Sequence, residues 1–205
     1  NVVGQISCVT CTPGKYQSSV MSEACIDCEE GKYRSNSGAG GLDLGFDKAG
    51  YEIIYANEYD KTIWETYRQN FNKTLLVTEN IIDIDPKKVP KVDGIIGGPP
   101  CQSWSVAGSM RGPNDSRGKL FHNFIDIIDE VQPYFFLAEN VAGMLAPRNI
   151  EAIENIEKMF EEKGYLVSKK LLNVSDYGVP QDRKRVIFVG YHKKKMHGKR
   201  FVHPK

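Results

Sequence analysis

Between Ile53 and Tyr191, short apolar runs alternate with segments whose apolar residues recur at helical spacing, and this alternation constrains the fold more than any other feature. Ile53-Ile54-Tyr55-Ala56, Leu75-Leu76-Val77, Val92 to Ile96, Tyr134 to Ala138, Tyr165 to Leu172 and Arg185 to Tyr191 read as strands. Leu42 to Ala49, Lys61 to Phe71, about Lys119 to Val131 and Ile150 to Lys163 read as helices. In the second of these, Ile63, Trp64 and Tyr67 stand at i, i+1 and i+4. Strands alternating with helices predict an α/β fold built on a mostly parallel, doubly wound sheet. The 205 residues are enough for one domain with its own core and a small appendage. No apolar run approaches the length of a membrane span, which argues against a membrane partner. The formal net charge of +1 says little about partners. Its distribution says more: from His192 to Lys205 there are six Lys or Arg and no acid, either a solvated tail or, near a nucleic-acid site, a phosphate-binding run.

The five cysteines divide the chain unevenly. Cys8-Val9-Thr10-Cys11-Thr12-Pro13-Gly14-Lys15-Tyr16 returns as Cys25-Ile26-Asp27-Cys28-Glu29-Glu30-Gly31-Lys32-Tyr33, with a period of 17. Paired C-x-x-C units suit a tetrahedral zinc site. Small cysteine repeats with little core are equally read as disulfide-stapled. Both readings of Cys8, Cys11, Cys25 and Cys28 stay open; no other metal site is expected. The phrase C-x-x-C-x-x-G-K-Y resembles the ephrin-receptor-like cysteine-rich repeats of extracellular proteins, which weighs towards disulfides. The division expected is residues 1–36 as a cysteine-rich segment and 37–205 as a separate domain.

Cys101 stands alone. It follows Gly97-Gly98-Pro99-Pro100, which stops the Val92 strand abruptly and presents the thiol on a stiff loop beyond the strand's carboxyl end. Ligands bind there in open α/β sheets, so Cys101 is a candidate nucleophile. Ser37-Gly38-Ala39-Gly40-Gly41 is a glycine-rich turn before a helix, a weak signal alone. Glu58 follows at the end of the next strand, where a carboxylate accepts hydrogen bonds from both ribose hydroxyls of a nucleoside-containing cofactor, and Tyr59 offers a ring to an adenine. The pair points to a nucleotide cofactor without separating NAD from S-adenosylmethionine. Glu139 comes as the Phe135-Phe136-Leu137-Ala138 strand ends; burial would raise its pKa and make it an acid near neutral pH, though the same residue could simply cap the next helix. Arg183 and Arg185 stand at i and i+2, on one face of a strand, positioned to bind phosphate or the polar edge of a base unless they form a solvated basic edge.

Taken in order, these stretches resemble the first part of a DNA (cytosine-5)-methyltransferase. S-G-A-G-G-L-D-L-G-F resembles that family's cofactor loop, N-E-Y-D its ribose-binding acid and G-P-P-C-Q-S-W-S its nucleophile loop. R-G-K-L-F, A-E-N-V and Q-D-R-K-R-V resemble three further family motifs. The wording is especially similar to the bacterial HaeIII-type modification methyltransferases of restriction-modification systems, which methylate within GGCC. The resemblance implies a Rossmann-like S-adenosylmethionine-dependent fold and double-stranded DNA as partner. It further implies an intracellular enzyme, in cytoplasm or nucleus, acting as a monomer. Cys101 would add to C6 of a flipped-out cytosine. Glu139 would hydrogen-bond or protonate N3, so that C5 takes the methyl group; loss of the C5 proton then expels the thiolate. Arg185 would bind the cytosine O2 edge and Arg183 a phosphate or the cysteine loop. The cofactor set implied is Ser37, Gly38, Ala39, Gly40, Gly41, Glu58, Tyr59, Asn80, Ile81, Pro99 and Leu120. The DNA set implied is Gln102, Ser103, Ser105, Arg117 and Gln181.

Four features set the chain apart from that pattern. The family has an apolar strand before the glycine turn, where this chain has Glu29-Glu30-Gly31-Lys32-Tyr33-Arg34-Ser35-Asn36, a poor central strand. Asn80 stands where the family has an adenine-contacting Asp, and its amide oxygen could still accept from the adenine amine. The target-recognition region and closing motifs are expected to be missing after Arg185, which predicts little turnover by this chain unaided. Cysteine repeats of this type also belong to oxidising compartments, unlike such an enzyme. The competing readings are a tRNA cytosine-5 methyltransferase, an NAD-dependent dehydrogenase that leaves Cys101 and Glu139 without roles, and an inactive fragment fused to a cysteine-rich interaction module.

Overall fold

The computed structural model describes residues 15–16, 26–27, 40–99 and 116–204. The chain divides into two compact units, Asn1–Arg34 and Ser35–Lys205. The described part of the first is a short antiparallel pair, β1 (Lys15–Tyr16) and β2 (Ile26–Asp27), with Tyr16 opposite Ile26. The four clustered cysteines lie outside the described residues.

The second unit runs α1 (Gly41–Lys48), β3 (Tyr55–Asn57), α2 (Trp64–Asn70), β4 (Leu75–Val77), β5 (Gly94–Gly97), α3 (Ser116–Val131), β6 (Phe135–Val141), α4 (Ile150–Glu162), β7 (Tyr165–Asn173) and β8 (Lys184–His192). Every strand and helix read from the alternation is present, within two or three residues at its ends. Two sheets carry them: β3 pairs parallel with β4, and a four-stranded sheet has the order β5-β6-β8-β7. Within the latter β5–β6 is parallel, whereas β6–β8 and β8–β7 are antiparallel. The expectation of a mostly parallel sheet is therefore corrected to a mixed one. The reason lies in the link from Asn173 to Lys184, which holds a 3-10 turn at Val174–Tyr177 and no crossover helix. A parallel return needs a crossover of a dozen or more residues, usually helical, so β8 comes back antiparallel to β7. Among the described residues, β3 and β5 are each paired along one edge only.

The core sits beneath the four-stranded sheet. On β6 the even residues Phe136, Ala138 and Asn140 are buried and the odd ones half-buried, the period-two signature of a strand with one face on a core. α3 brings Phe121, Phe124, Ile125 and Ile128 at i, i+3, i+4 and i+7, and α4 brings Ile153, Ile156 and Phe160. Phe136 stacks on Phe160 at 4.1 Å between ring centres. Gly190 lies opposite Phe136, and a Cβ there would fall 2.0 Å from the ring, so only glycine lets β8 approach. A second cluster of Ile84, Val89, Ile127 and Val131 takes Tyr55 and Val77 from the smaller sheet, and Ile81 and Ile95 pack against both clusters. On the other side of β6, Phe46 of α1 stacks on Phe135 at 6.0 Å. Among the described residues, no helix is long and apolar enough to cross a membrane.

Candidate active site

The parallel strands bring their carboxyl ends into register: Asn57 lies opposite Val77, and Gly97 opposite Ala138. Glu58, the Thr78–Asn80 stretch, Pro99, Glu139 and Asn140 all lie at or just beyond these ends, the position at which open α/β sheets bind ligands. Ser37, Gly38, Ala39, Cys101, Gln102, Ser103 and Ser105 lie outside the described residues. Arg117 falls in the first turn of α3. Leu120 is half-buried on the same helix.

The glycine turn enters α1 through Gly40, whose φ of 84° is left-handed and whose carbonyl accepts from Leu44 N at 2.8 Å. A Cβ at Gly40 would lie 2.3 Å from the Phe71 ring, so the turn is seated directly on that side chain. Phe71 in turn stacks on Tyr67, which is 2% exposed. Gly41 begins the helix. Burial pushes the Asp43 carboxyl in its first turn upward from the usual carboxylate range, while the Tyr67 hydroxyl beside it acts in the opposite sense.

Glu58 is held by its backbone and by one carboxylate oxygen. Its N–H donates to Val77 O at 3.0 Å, its carbonyl accepts from Trp64 Nε1 at 2.8 Å, and its Oε1 accepts from Asp60 N at 2.7 Å. Burial raises its pKa above the ordinary glutamate value, against the effect of the Asp60 amide. The side chain keeps acceptor capacity beyond the bond to Asp60, which is what a ribose diol needs. Tyr59 beside it is 67% exposed, so its ring is open to a ligand. Asn80 already has a local partner. Its Oδ1 accepts from Ile82 N at 3.3 Å and caps the 3-10 turn Ile81–Asp83. Ile81 packs towards the two apolar clusters.

Glu139 meets the two arginines. It lies inside β6, opposite Ile187, and its Oε1 is 2.7 Å from Arg185 Nε and 4.0 Å from Arg183 Nη2. All three side chains are about four-fifths buried. Arg185 is in β8, diagonal to Glu139 on the same face. Arg183 precedes the strand instead of sharing it. It is placed by Asn173, whose Oδ1 accepts from Arg183 N at 3.0 Å and whose Nδ2 donates to Asp182 at 2.8 Å. Gln181 is exposed in the same turn. A carboxyl between two guanidiniums is an arrangement that can accept a hydrogen bond or share a proton while the cations steady the charge.

Asn140 was not singled out from sequence. It is 7% exposed, on the opposite face of β6 from Glu139, and its Nδ2 donates to Pro99 O at 2.9 Å. Its Oδ1 accepts from Val141 N at 2.9 Å. The signal was available: Asn140 continues the buried series Phe136, Ala138, and a polar side chain on a core face must find a partner. The basic run after His192 is placed away from this end. Residue 191 pairs with Phe135 at the start of β6, whereas Arg185 pairs with Val141 at its finish, so Lys193–Lys195 emerge at the opposite edge from Glu139. There Lys195 donates to Gln132 O and lies over the Tyr134 ring.

Residues 36–205 match the family model described as C-5 cytosine-specific DNA methylase. The chain is 64% identical over 157 residues to the type II methyltransferase M.FnuDI of Fusobacterium nucleatum, covering 77% of this chain and 45% of the relative. It is 56% identical over 158 residues to M.NgoPII of Neisseria gonorrhoeae, covering 77% and 46%. Among solved structures, the DNMT2 of Spodoptera frugiperda shares 28% identity with a TM-score of 0.63, covering 76% of this chain and 48% of that one. This chain thus spans under half the length of these curated relatives. The matches lend the cysteine repeats and their likeness to ephrin-receptor-like modules no support. The chain belongs to the C-5 cytosine-specific DNA methylase family.

Proposed function

We propose that residues 37–205 form the cofactor- and cytosine-binding part of a DNA (cytosine-5)-methyltransferase of the type II modification class. It acts as a monomer on double-stranded DNA inside the cell. The observation that carries the reading is the pair Glu139–Asn140. Period-two alternation sends the first towards Arg185 and Arg183 and the second to Pro99 O, two residues before Cys101. One strand thereby positions the acid and anchors the root of the nucleophile loop.

The residues present fit S-adenosylmethionine: a half-buried carboxylate with remaining acceptor capacity at Glu58, an open ring at Tyr59 and a left-handed glycine turn at Gly40. When bound, this cofactor supplies an electrophilic methyl group. Gly40, Gly41, Glu58, Tyr59 and the Asn80–Ile81 turn would hold it. The thiolate of Cys101 forms a bond to C6 of the extruded cytosine, and the electron pair pushed into the ring is received at N3, where Glu139 donates. Arg185 and Arg183 hold that carboxyl in place. Gln102, Ser103, Ser105, Arg117 and Gln181 meet the DNA.

Covalent trapping tests the reading. This chain, extended by the C-terminal portion of M.FnuDI, is incubated with S-adenosylmethionine and a GGCC duplex carrying 5-fluorocytosine. A denaturation-resistant adduct is expected from the wild type and none from Cys101→Ser. An adduct that persists in Cys101→Ser refutes the assignment.

A further inference from the structure

Asn57 takes no part in the mechanism above, yet its side chain bridges the two stretches assigned to adenosine. It ends β3, opposite Val77. Its single amide nitrogen donates to two carbonyls of the neighbouring strand and its continuation, Val77 O at 3.1 Å and Glu79 O at 2.8 Å. Val77 O also accepts from Glu58 N. Asn57 therefore precedes the carboxylate assigned to the ribose and grips the residue before Asn80. Among the described hydrogen bonds, no other side chain ties the end of β3 to Glu79.

The chemistry of the ligand explains why such a tether matters. A ribose diol and an adenine edge are joined by one glycosidic bond, so a protein that reads both must keep two loops at a fixed separation. Backbone pairing sets that separation only as far as Val77, where β4 ends. Beyond it, the carboxamide takes over. Asparagine suits the task because one nitrogen carries two donors. Aspartate would turn acceptors towards two carbonyls, and serine would supply one donor. We infer that Asn57 is a positioning residue for adenosine: it sets the spacing between Glu58 and the Asn80–Ile81 turn and thereby selects ligands that carry the adenine base. This rests on the reading of Glu58 and Asn80 as parts of the cofactor site.

The test compares S-adenosylhomocysteine with S-ribosylhomocysteine, which keeps the ribose and the amino acid and lacks the base. In Asn57→Ala, affinity for the first is expected to fall about tenfold or more, while affinity for the second stays within about twofold, because Glu58 retains Asp60 N and Trp64 Nε1. Equal losses for both ligands, or none, overturn the inference. Asn70→Ala is the matched control, since Asn70 Nδ2 makes one bond of the same kind to Thr66 O on α2, and it is expected to bind both ligands as the wild type does. If Asn57→Ala does not fold, Asn57→Ser carries the same comparison; failure of both to fold overturns the inference by making Asn57 a folding residue. If the wild-type chain binds no S-adenosylhomocysteine, the cofactor reading itself fails. The tether is then judged by hydrogen exchange at Asn80–Ile82: faster exchange in Asn57→Ala upholds it, and unchanged exchange overturns it.

Discussion

The two sheets of the larger unit are held by different means. The β5-β6-β8-β7 sheet lies on a close-packed aromatic and aliphatic cluster, with Phe136 and Phe160 at 0% exposure. No residue of β3 or β4 is fully buried, and Leu75 is 62% exposed. The smaller sheet meets the second cluster only through half-buried Tyr55 and Val77, and side-chain hydrogen bonds fasten its ends: Asn57 to Val77 and Glu79, Thr74 Oγ1 to Ile53 O at 2.6 Å, and Trp64 Nε1 to Glu58 O. A net hydrogen bond is worth about 1 kcal/mol, whereas a large buried side chain contributes roughly 2–3 kcal/mol. Glu139, the proposed acid, thus stands on the part that carries the stability, and Glu58, the proposed ribose ligand, on the part that carries less of it.

That contrast can be broken at several points. The largest effect is expected from Phe136→Ala, which empties the stack on Phe160 and should cost about 3–5 kcal/mol, read as a fall in the urea midpoint. A small effect there would mean the core does not hold the sheet. Asn140→Ala comes next: losing a buried tether to Pro99 should cost about 1–3 kcal/mol and, in the extended enzyme, lower the rate of adduct formation. An unchanged adduct rate would separate the nucleophile loop from β6.

His192 gives a smaller, pH-dependent effect in the stable half. Its Nδ1 accepts from Lys194 N and Lys195 N, and its Nε2 meets Gln132 Oε1 at 2.8 Å, an arrangement for the neutral ring. Burial, with Lys195 and Lys194 nearby, lowers its pKa. The unfolded chain therefore takes the proton first, and the stability present above pH ~6.5 is lost as pH falls through that value towards the lowered one. His192→Gln should flatten this dependence in denaturant titrations between pH 7 and 5. The smallest effect is the most telling for the comparison. Glu58 has a raised pKa, so the folded state binds its proton more tightly and ionisation at neutral pH costs stability. Glu58→Gln keeps an acceptor for Asp60 N and should raise the Tm of the ligand-free chain by about 1–2 °C while weakening S-adenosylhomocysteine. A lower Tm would place Glu58 among the structural tethers.

The same contrast marks what could be read from the residues alone. Helices and strands showed through apolar periodicity, because each buries one face; Glu58 and Glu139 were singled out by their places after apolar runs, and Arg183 and Arg185 by their i, i+2 spacing ahead of one. The mixed direction of the sheet was legible in principle, since Asn173 to Lys184 has no helical pattern to support a parallel return. The tethers were not. Asn57, Asn140 and Asn173 act on backbone carbonyls or amides 10 to 41 residues away, and no periodicity announces such a partner. The second task of Asn80 was hidden for a different reason: its acceptor bond from Ile82 N caps a local turn that no apolar periodicity marks. The contact between Glu139 and Arg185 was not legible, because it arises only when β8 returns antiparallel and lays the arginine diagonally across from the glutamate.

The role proposed for Glu58 turns on which nucleoside the chain takes. Titration calorimetry of the 205-residue chain with S-adenosylhomocysteine and, separately, with NAD is the decisive measurement. Saturable binding of S-adenosylhomocysteine, weakened about tenfold or more by Glu58→Ala, with no heat from NAD, is the expected result. Binding of NAD with none of S-adenosylhomocysteine would contradict it.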